Sequence, residues 1–240
     1  MKEYALLNSL MNPSPDPALS SQSSRAQTAA SVEVMVRYRF DYLLALPAEY
    51  RAEGGAQWPL LVFLHGRGER GADLAVVKRN GPPKLIEEGR AFPAIVVSPQ
   101  CPAEEWWSAP ALEAFIAELQ RRYRVDADRI YVTGLSMGGF ATWELAVRQP
   151  EKYAAVVPIC GAGEASLGGR LRDLPVWAFH GAKDPVVPVQ HTQAMVDAIK
   201  AAGGAPRLTI YPEVEHDSWT QTYANEEVWT WLFAQRRSGG

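Results

Sequence analysis

Ile130-Tyr-Val-Thr-Gly134-Leu-Ser136-Met-Gly138-Gly-Phe140 is the stretch that decides how this chain reads. A short apolar run, Ile130 to Val132, leads into Gly-x-Ser-x-Gly, and a helical pattern over 139–149 follows. Strand, tight turn and helix are the context in which such a serine sits on a sharp elbow, its hydroxyl raised above the end of a sheet. Glycine on either side lets the backbone turn without a Cβ clash. A hydroxyl placed in this way points to acyl transfer. By composition alone, a chain of 240 residues matches the pattern by chance roughly 0.08 times. The rest of the chain must therefore supply the argument.

Working outward, short apolar runs recur at 60–64, 94–98, 155–159 and 176–179, with a more polar one at 208–211. Runs of this kind fit strands buried on both faces. Helical patterns lie between them at 83–88, 109–123, 139–149, 189–202 and 224–236, punctuated by Pro110, Pro188, Gly203 and Gly204. The alternation predicts an α/β fold, a mostly parallel central sheet with helices on both faces. Val32 to Arg39 and Tyr42 to Leu46 read as an early hairpin. The segment between the strands at 155–159 and 176–179 is short and glycine-rich, which leaves no room for a cap domain and predicts an open site roofed by loops.

Residues 12–31 are rich in Pro, Ser, Ala and Gln and read as a linker or mobile arm. The domain division is therefore 1–31 as arm and 32–240 as catalytic domain. Tyr4 to Met11 makes a short amphipathic segment, either a frayed terminus or a docking helix. Lys2 followed by Glu3, and the break at Asn8 and Ser9, do not make a secretion signal, so a cytoplasmic location is expected. A net charge of -3 gives no reason to expect nucleic acid or an anionic membrane as partner. No apolar run is long enough to span a membrane. Cys101 and Cys160 make neither a disulfide framework nor a zinc site.

Four features fall at the C-terminal ends of the expected strands, where open α/β sheets place their sites. They are Ser136, the loop His65-Gly66-Arg67-Gly68, Asp184 and His216. A serine hydroxyl needs a base as it attacks, and a neutral imidazole serves near pH 7. The imidazolium that forms needs an orienting anion. Hence Ser136 is the expected nucleophile, His216 the base and Asp184 the acid. The backbone N–H groups of Arg67 and Met137 are expected to hold the oxyanion. His65, His180 and His191 are rivals to His216 that do not follow the last strand, and Asp217 reads as a loop-capping residue. Glu69 and Arg70 are expected to stiffen the oxyanion loop through local ion pairs or hydrogen bonds. Trp106, Trp107 and Trp219 offer an aromatic rim, with Trp107 and Trp219 as candidate substrate contacts and core packing as the alternative.

These motifs resemble the compact α/β-hydrolases described as predicted peptidases, phospholipase/carboxylesterases and dienelactone-hydrolase-like esterases, related to feruloyl and acetyl-xylan esterases. The likeness rests on Pro59 to Gly71, Ser98 to Pro102, Gly134 to Phe140, Val157 to Gly161, Phe179 to Pro188 and His216 to Trp219. It covers about residues 35–236. The chain order Ser136, Asp184, His216 is the order of that fold. The resemblance implies a serine hydrolase with no metal and no organic cofactor. True dienelactone hydrolases use cysteine as nucleophile, so Ser136 points to ester hydrolysis. A small-molecule or polysaccharide-borne ester is the expected substrate. Peptide hydrolysis by the same set, and a binding module that kept the scaffold, remain the other readings. In that fold the strands before Cys101 and Cys160 lie three places apart, roughly 14 Å at 4.8 Å per place. That exceeds the roughly 7 Å a disulfide spans, so both cysteines are expected to be free.

Overall fold

The computed structural model describes Ala29 and residues 31–237. The chain divides into two units, 1–37 and 38–240. The amphipathic segment 4–11 and almost all of the expected arm lie outside the described residues. In the first unit the described residues carry no regular secondary structure and are exposed.

Trp58 to Leu64 shows why the second unit folds as it does. This strand, β2 (Trp58–Leu64), is almost wholly apolar, and its last six residues are buried. Successive side chains point to opposite faces of a strand. Leu60, Val62 and Leu64 accordingly enter one core cluster, and Leu61 and Phe63 the other. Each such side chain contributes roughly 1.5–3 kcal/mol by burial. Both faces of the sheet must therefore be covered.

The sheet has seven strands among the described residues, in the order β1-β3-β2-β4-β5-β6-β7. The others are β1 (Tyr42–Ala45), β3 (Ile95–Pro99), β4 (Val125–Leu135), β5 (Ala155–Ile159), β6 (Trp177–Gly181) and β7 (Arg207–Tyr211). All neighbours run parallel except β1, which pairs antiparallel with β3. The described residues also form six α-helices: α1 (Gly81–Glu87), α2 (Ala109–Arg122), α3 (Met137–Arg148), α4 (Gln190–Ala201), α5 (Trp219–Ala224) and α6 (Glu226–Ala234). Leu112, Ala146 and Val196, from α2, α3 and α4, join the core on one face. Tyr223, Val228 and Leu232, from α5 and α6, join the core on the other, with Leu85 and Ile86 of α1 packed against it. The expected α/β architecture with helices on both faces is present.

The expected early hairpin does not form. Residues 32–39 make no strand, and Val32, Val34 and Met35 are exposed. The alternation Val32, Val34, Val36 specifies an apolar face, and all three are exposed. β1 instead registers with β3, and the Gln100 N–H extends that pairing to the Asp41 carbonyl at 2.9 Å. Two further boundaries move. β4 starts at Val125, well before Ile130, and in its polar first part Arg129 Nε donates to Asp126 Oδ2 at 2.8 Å. The helical pattern over 224–236 breaks at Asn225, whose side chain accepts from the Glu227 N–H at 2.9 Å and caps α6. Between β5 and β6 there is only a 3-10 turn, Ala165–Leu171, and no inserted cap.

Candidate active site

Ser136 stands between β4 and α3 with φ 50° and ψ -117°, a backbone conformation that only glycine adopts freely. Such a residue costs about 1–3 kcal/mol and persists only where its surroundings over-determine it. The Ser136 N–H donates to the Ile159 carbonyl at 3.0 Å, and the Phe140 N–H donates to the Ser136 carbonyl at 3.0 Å. Helix α3 starts pressed against the end of β2. A Cβ on Gly138 would lie 1.8 Å from the Leu64 carbonyl oxygen, so only glycine fits there. The turn leaves Ser136 partly exposed while its neighbours Leu135 and Met137 are buried.

Loops after β6 and β7 bring the other two expected residues to it. His216 Nε2 lies 2.9 Å from Ser136 Oγ, and His216 Nδ1 lies 2.7 Å from Asp184 Oδ2. The remaining oxygen, Asp184 Oδ1, accepts from the N–H groups of Val186 at 2.8 Å and Val187 at 2.9 Å. Burial alone would raise the Asp184 pKa. The His216 hydrogen bond and the two N–H donors outweigh it and hold the carboxyl below its ordinary value. Asp184 is thus an anion fixed at both oxygens, and the histidine between it and Ser136 is oriented to take a proton at Nε2. Asp217, beside His216, does something else. It accepts from the N–H and hydroxyl of Thr220 at 3.0 and 2.9 Å and caps the start of α5.

The loop after β2 lies against the serine. A Cβ built on Gly66 would sit 3.6 Å from Ser136 Cβ. Its shape is set by His65, a fully buried imidazole. The Cys101 N–H donates to His65 Nε2 at 3.0 Å, so Nε2 is bare and the proton is on Nδ1. Nδ1 donates in turn to the Gly66 carbonyl at 2.6 Å. That carbonyl and the Arg67 N–H belong to one planar peptide, so holding one aims the other the opposite way. Among the described residues neither the Arg67 N–H nor the Met137 N–H is taken by another group. Burial pulls His65 down to about 4, with Arg70 pushing the same way and the Gly66 carbonyl pulling partly back.

Glu69 and Arg70 are held by local bonds. Asn80 Nδ2 donates to Glu69 Oε1 at 2.6 Å, and Arg70 Nη1 donates to the Glu105 carbonyl at 2.9 Å. Asn80 also accepts from Trp219 Nε1 at 3.1 Å. Trp219 in turn meets the His216 ring edge-on at 5.3 Å. Asn80 thereby ties the loop after β2 to the loop that carries His216, a role no local sequence pattern signals. Gln100 is a second such residue. Its Nε2 donates to the Glu69 and Asp73 carbonyls at 2.8 and 3.0 Å. A polar residue directly after an apolar strand, on the site's edge, was the available signal.

The aromatic rim needs correction at one position. Trp107 is 7% exposed, and its indole N–H donates to the His65 carbonyl at 3.1 Å. It braces the loop after β2 from behind, because the hydrogen bond and the His65 ring turn it inward. The exposed ring is its neighbour Trp106, at 59%. Trp219 is half-buried beside His216. Of the rival histidines, His65 braces the loop, His191 is exposed on α4, and His180 is buried beside Asp184. Cys101 and Cys160 are free and buried, and burial pushes their thiols up to about 11 and about 12. Among the described residues no group of three His, Cys, Asp or Glu is arranged to hold a metal ion, and no helix is long and apolar enough to cross a membrane.

The family model for phospholipase/carboxylesterase matches residues 102–226, over half of the chain. This chain belongs to the phospholipase/carboxylesterase family. Bifunctional acetylxylan esterase/xylanase XynS20E of Neocallimastix patriciarum is 27% identical over 120 residues, which are 48% of this chain and 17% of that protein. Probable feruloyl esterase C of Aspergillus terreus is 25% identical over 154 residues, 62% of this chain and 56% of that protein. The crystal structure of a thermostable esterase matches with a TM-score of 0.69 and 36% identity, over 82% of this chain and 59% of that one. The chain therefore spans less than two thirds of each of these proteins. Its fold is the α/β-hydrolase fold, as in other members of the phospholipase/carboxylesterase family.

Proposed function

We propose that the chain is a serine carboxylesterase working through an acyl-enzyme on Ser136. The observation that carries this reading is the continuous path Ser136 Oγ, His216, Asp184, at 2.9 and 2.7 Å. Ser136 Oγ attacks the ester carbonyl as its proton passes to His216 Nε2. Asp184, anionic at the pH of the reaction, stabilises the imidazolium through Nδ1–H. The carbonyl oxygen takes up negative charge and is met by the N–H groups of Met137 and Arg67. Collapse breaks the C–O bond, and His216 returns the proton to the leaving alcohol. Water, deprotonated by the same imidazole, then releases the acid and restores Ser136.

Short-acyl, aryl or sugar esters suit the surroundings. The exposed Trp106 ring faces Phe140 edge-on at 6.4 Å, one helical turn from Ser136. Phe140 heads an open cavity of about 420 Å³ along α3, walled by Glu144, Ala162, Glu164 and Leu167. An aromatic face with carboxylates beyond it accepts a ring that bears hydroxyl groups. No cofactor enters the cycle, because every charge and proton transfer has a residue assigned. Ser136→Ala should abolish turnover of p-nitrophenyl acetate while circular dichroism stays unchanged; retained turnover refutes the reading. Ester and anilide substrates with the same acyl group separate it from peptide hydrolysis, and the ester should be far the faster.

A further inference from the structure

Asp184 has a second imidazole on it. His180, fully buried at the end of β6, places Nε2 3.2 Å from Asp184 Oδ2, the same oxygen that receives His216. That nitrogen also lies 2.8 Å from the Val187 carbonyl. A carbonyl and a carboxylate offer no proton, so Nε2 must carry one and donate. On the far side of the ring, Nδ1 meets Thr192 Oγ1 of α4 at 2.8 Å, and that hydroxyl is also 2.9 Å from the Gly161 carbonyl. The ring is pinned from β6, α4 and the acid loop at once. It does not reach Ser136, so it cannot stand in for His216.

We propose that His180 is a positioning residue: its Nε2–H, held on the Val187 carbonyl of the acid loop, stands 3.2 Å from Asp184 Oδ2 and limits how strongly that oxygen draws the His216 proton. The positive N–H end of the ring, 3.2 Å from Oδ2, draws on the charge that oxygen can give to His216. The groups facing His180 are Asp184, His216, the Thr192 hydroxyl and the carbonyls of Val187 and Gly161. Burial and His216 oppose a positive ring, whereas the Val187 carbonyl and Asp184 favour one, and burial prevails. The direction of the effect is the same for a neutral or a charged His180. Removing the donor strengthens the hold of Asp184 on protonated His216. The acid limb of the rate profile then moves up. This rests on Ser136, Asp184 and His216 being the reacting set.

Two measurements test it. In the wild-type protein with 15N-labelled imidazoles, His180 Nε2 should stay protonated across the whole active pH range, and its resonance should move as His216 titrates. A bare Nε2, or no response to His216, overturns the proposal. The kinetic test uses His180→Leu, which removes the donor, and His180→Gln, whose amide nitrogen is as many bonds from the backbone as Nε2. Leucine should lower kcat about tenfold or more with KM within about twofold, and glutamine should stay within about threefold of wild type. Only the leucine variant should shift the acid limb, upward by about half a pH unit. A folded leucine variant with an unmoved limb, or a glutamine variant equally impaired, also overturns it. If the leucine variant does not fold, the wild-type resonances decide. Failure of the esterase reading itself appears separately, as turnover retained in Ser136→Ala.

Discussion

Acidification should destabilise this protein through His65, well above the pH at which its carboxylates protonate. The folded state holds that imidazole neutral at about 4, against an ordinary value near 6.5. Protonation would put a hydrogen on Nε2, where the Cys101 N–H already donates. The unfolded chain therefore binds more protons between pH 6.5 and 4. The contribution of His65 is complete above the upper value and falls away as pH drops toward the lower one. The full span is about 3 kcal/mol, and about 2 kcal/mol of it is lost between pH 7.5 and 5. For a domain of this size that is a fall in Tm of about 4–8 °C. His180 and other groups add slopes of their own, so the assay is a comparison. His65→Asn keeps a donor near the Gly66 carbonyl but cannot titrate. It should be less stable than wild type at pH 7.5, and its urea midpoint should change less on going to pH 5, by the equivalent of about 2 kcal/mol. Parallel pH profiles for the two proteins would refute the reasoning.

The other expectations follow the packing of the site. Gly138→Ala places a Cβ 1.8 Å from the Leu64 carbonyl; it should cost at least about 3 kcal/mol, read as a Tm lower by about 6–12 °C. Asn80→Ala leaves the Glu69 carboxylate and the Trp219 indole without their shared partner. Urea unfolding should then report a loss of about 1–3 kcal/mol, with kcat reduced. Trp106→Ala removes an exposed ring with no hydrogen-bonding duty, so KM for an aryl ester should rise about 2- to 13-fold while kcat holds; an unchanged KM would remove Trp106 from the substrate path.

The sequence exposed the strands that are buried on both faces, because β2 and β5 hold only apolar residues and β3 holds a single polar one, Ser98. It exposed the site because Ser136 directly follows β4, the His65 loop directly follows β2, and Asp184 and His216 lie in the loops after β6 and β7. It did not expose partners that depend on distance across the fold. Asn80 reaches Trp219 from 139 positions away, and no local pattern marks that meeting. Trp106 and Trp107 are adjacent, and which ring turns inward is decided by the His65 carbonyl, not by composition. Alternation at 32–36 described a strand-like face but not the presence of a neighbour to pair with. The polar start of β4 read as loop because Asp126 and Arg129 hide their pairing until the chain is folded. His180 looked like an unused histidine until the acid loop folded back over it.

The central claim is that Ser136 carries the acyl group during turnover. It is tested most directly by intact-mass and peptide analysis of the protein quenched in acid while turning over p-nitrophenyl acetate. The account predicts one added acetyl group, on the peptide containing Ser136, absent from Ser136→Ala and accumulating in Asp184→Asn only as fast as that variant's reduced turnover allows. Steady hydrolysis by a protein whose acetyl group lies on another residue, or persists in Ser136→Ala, would contradict it.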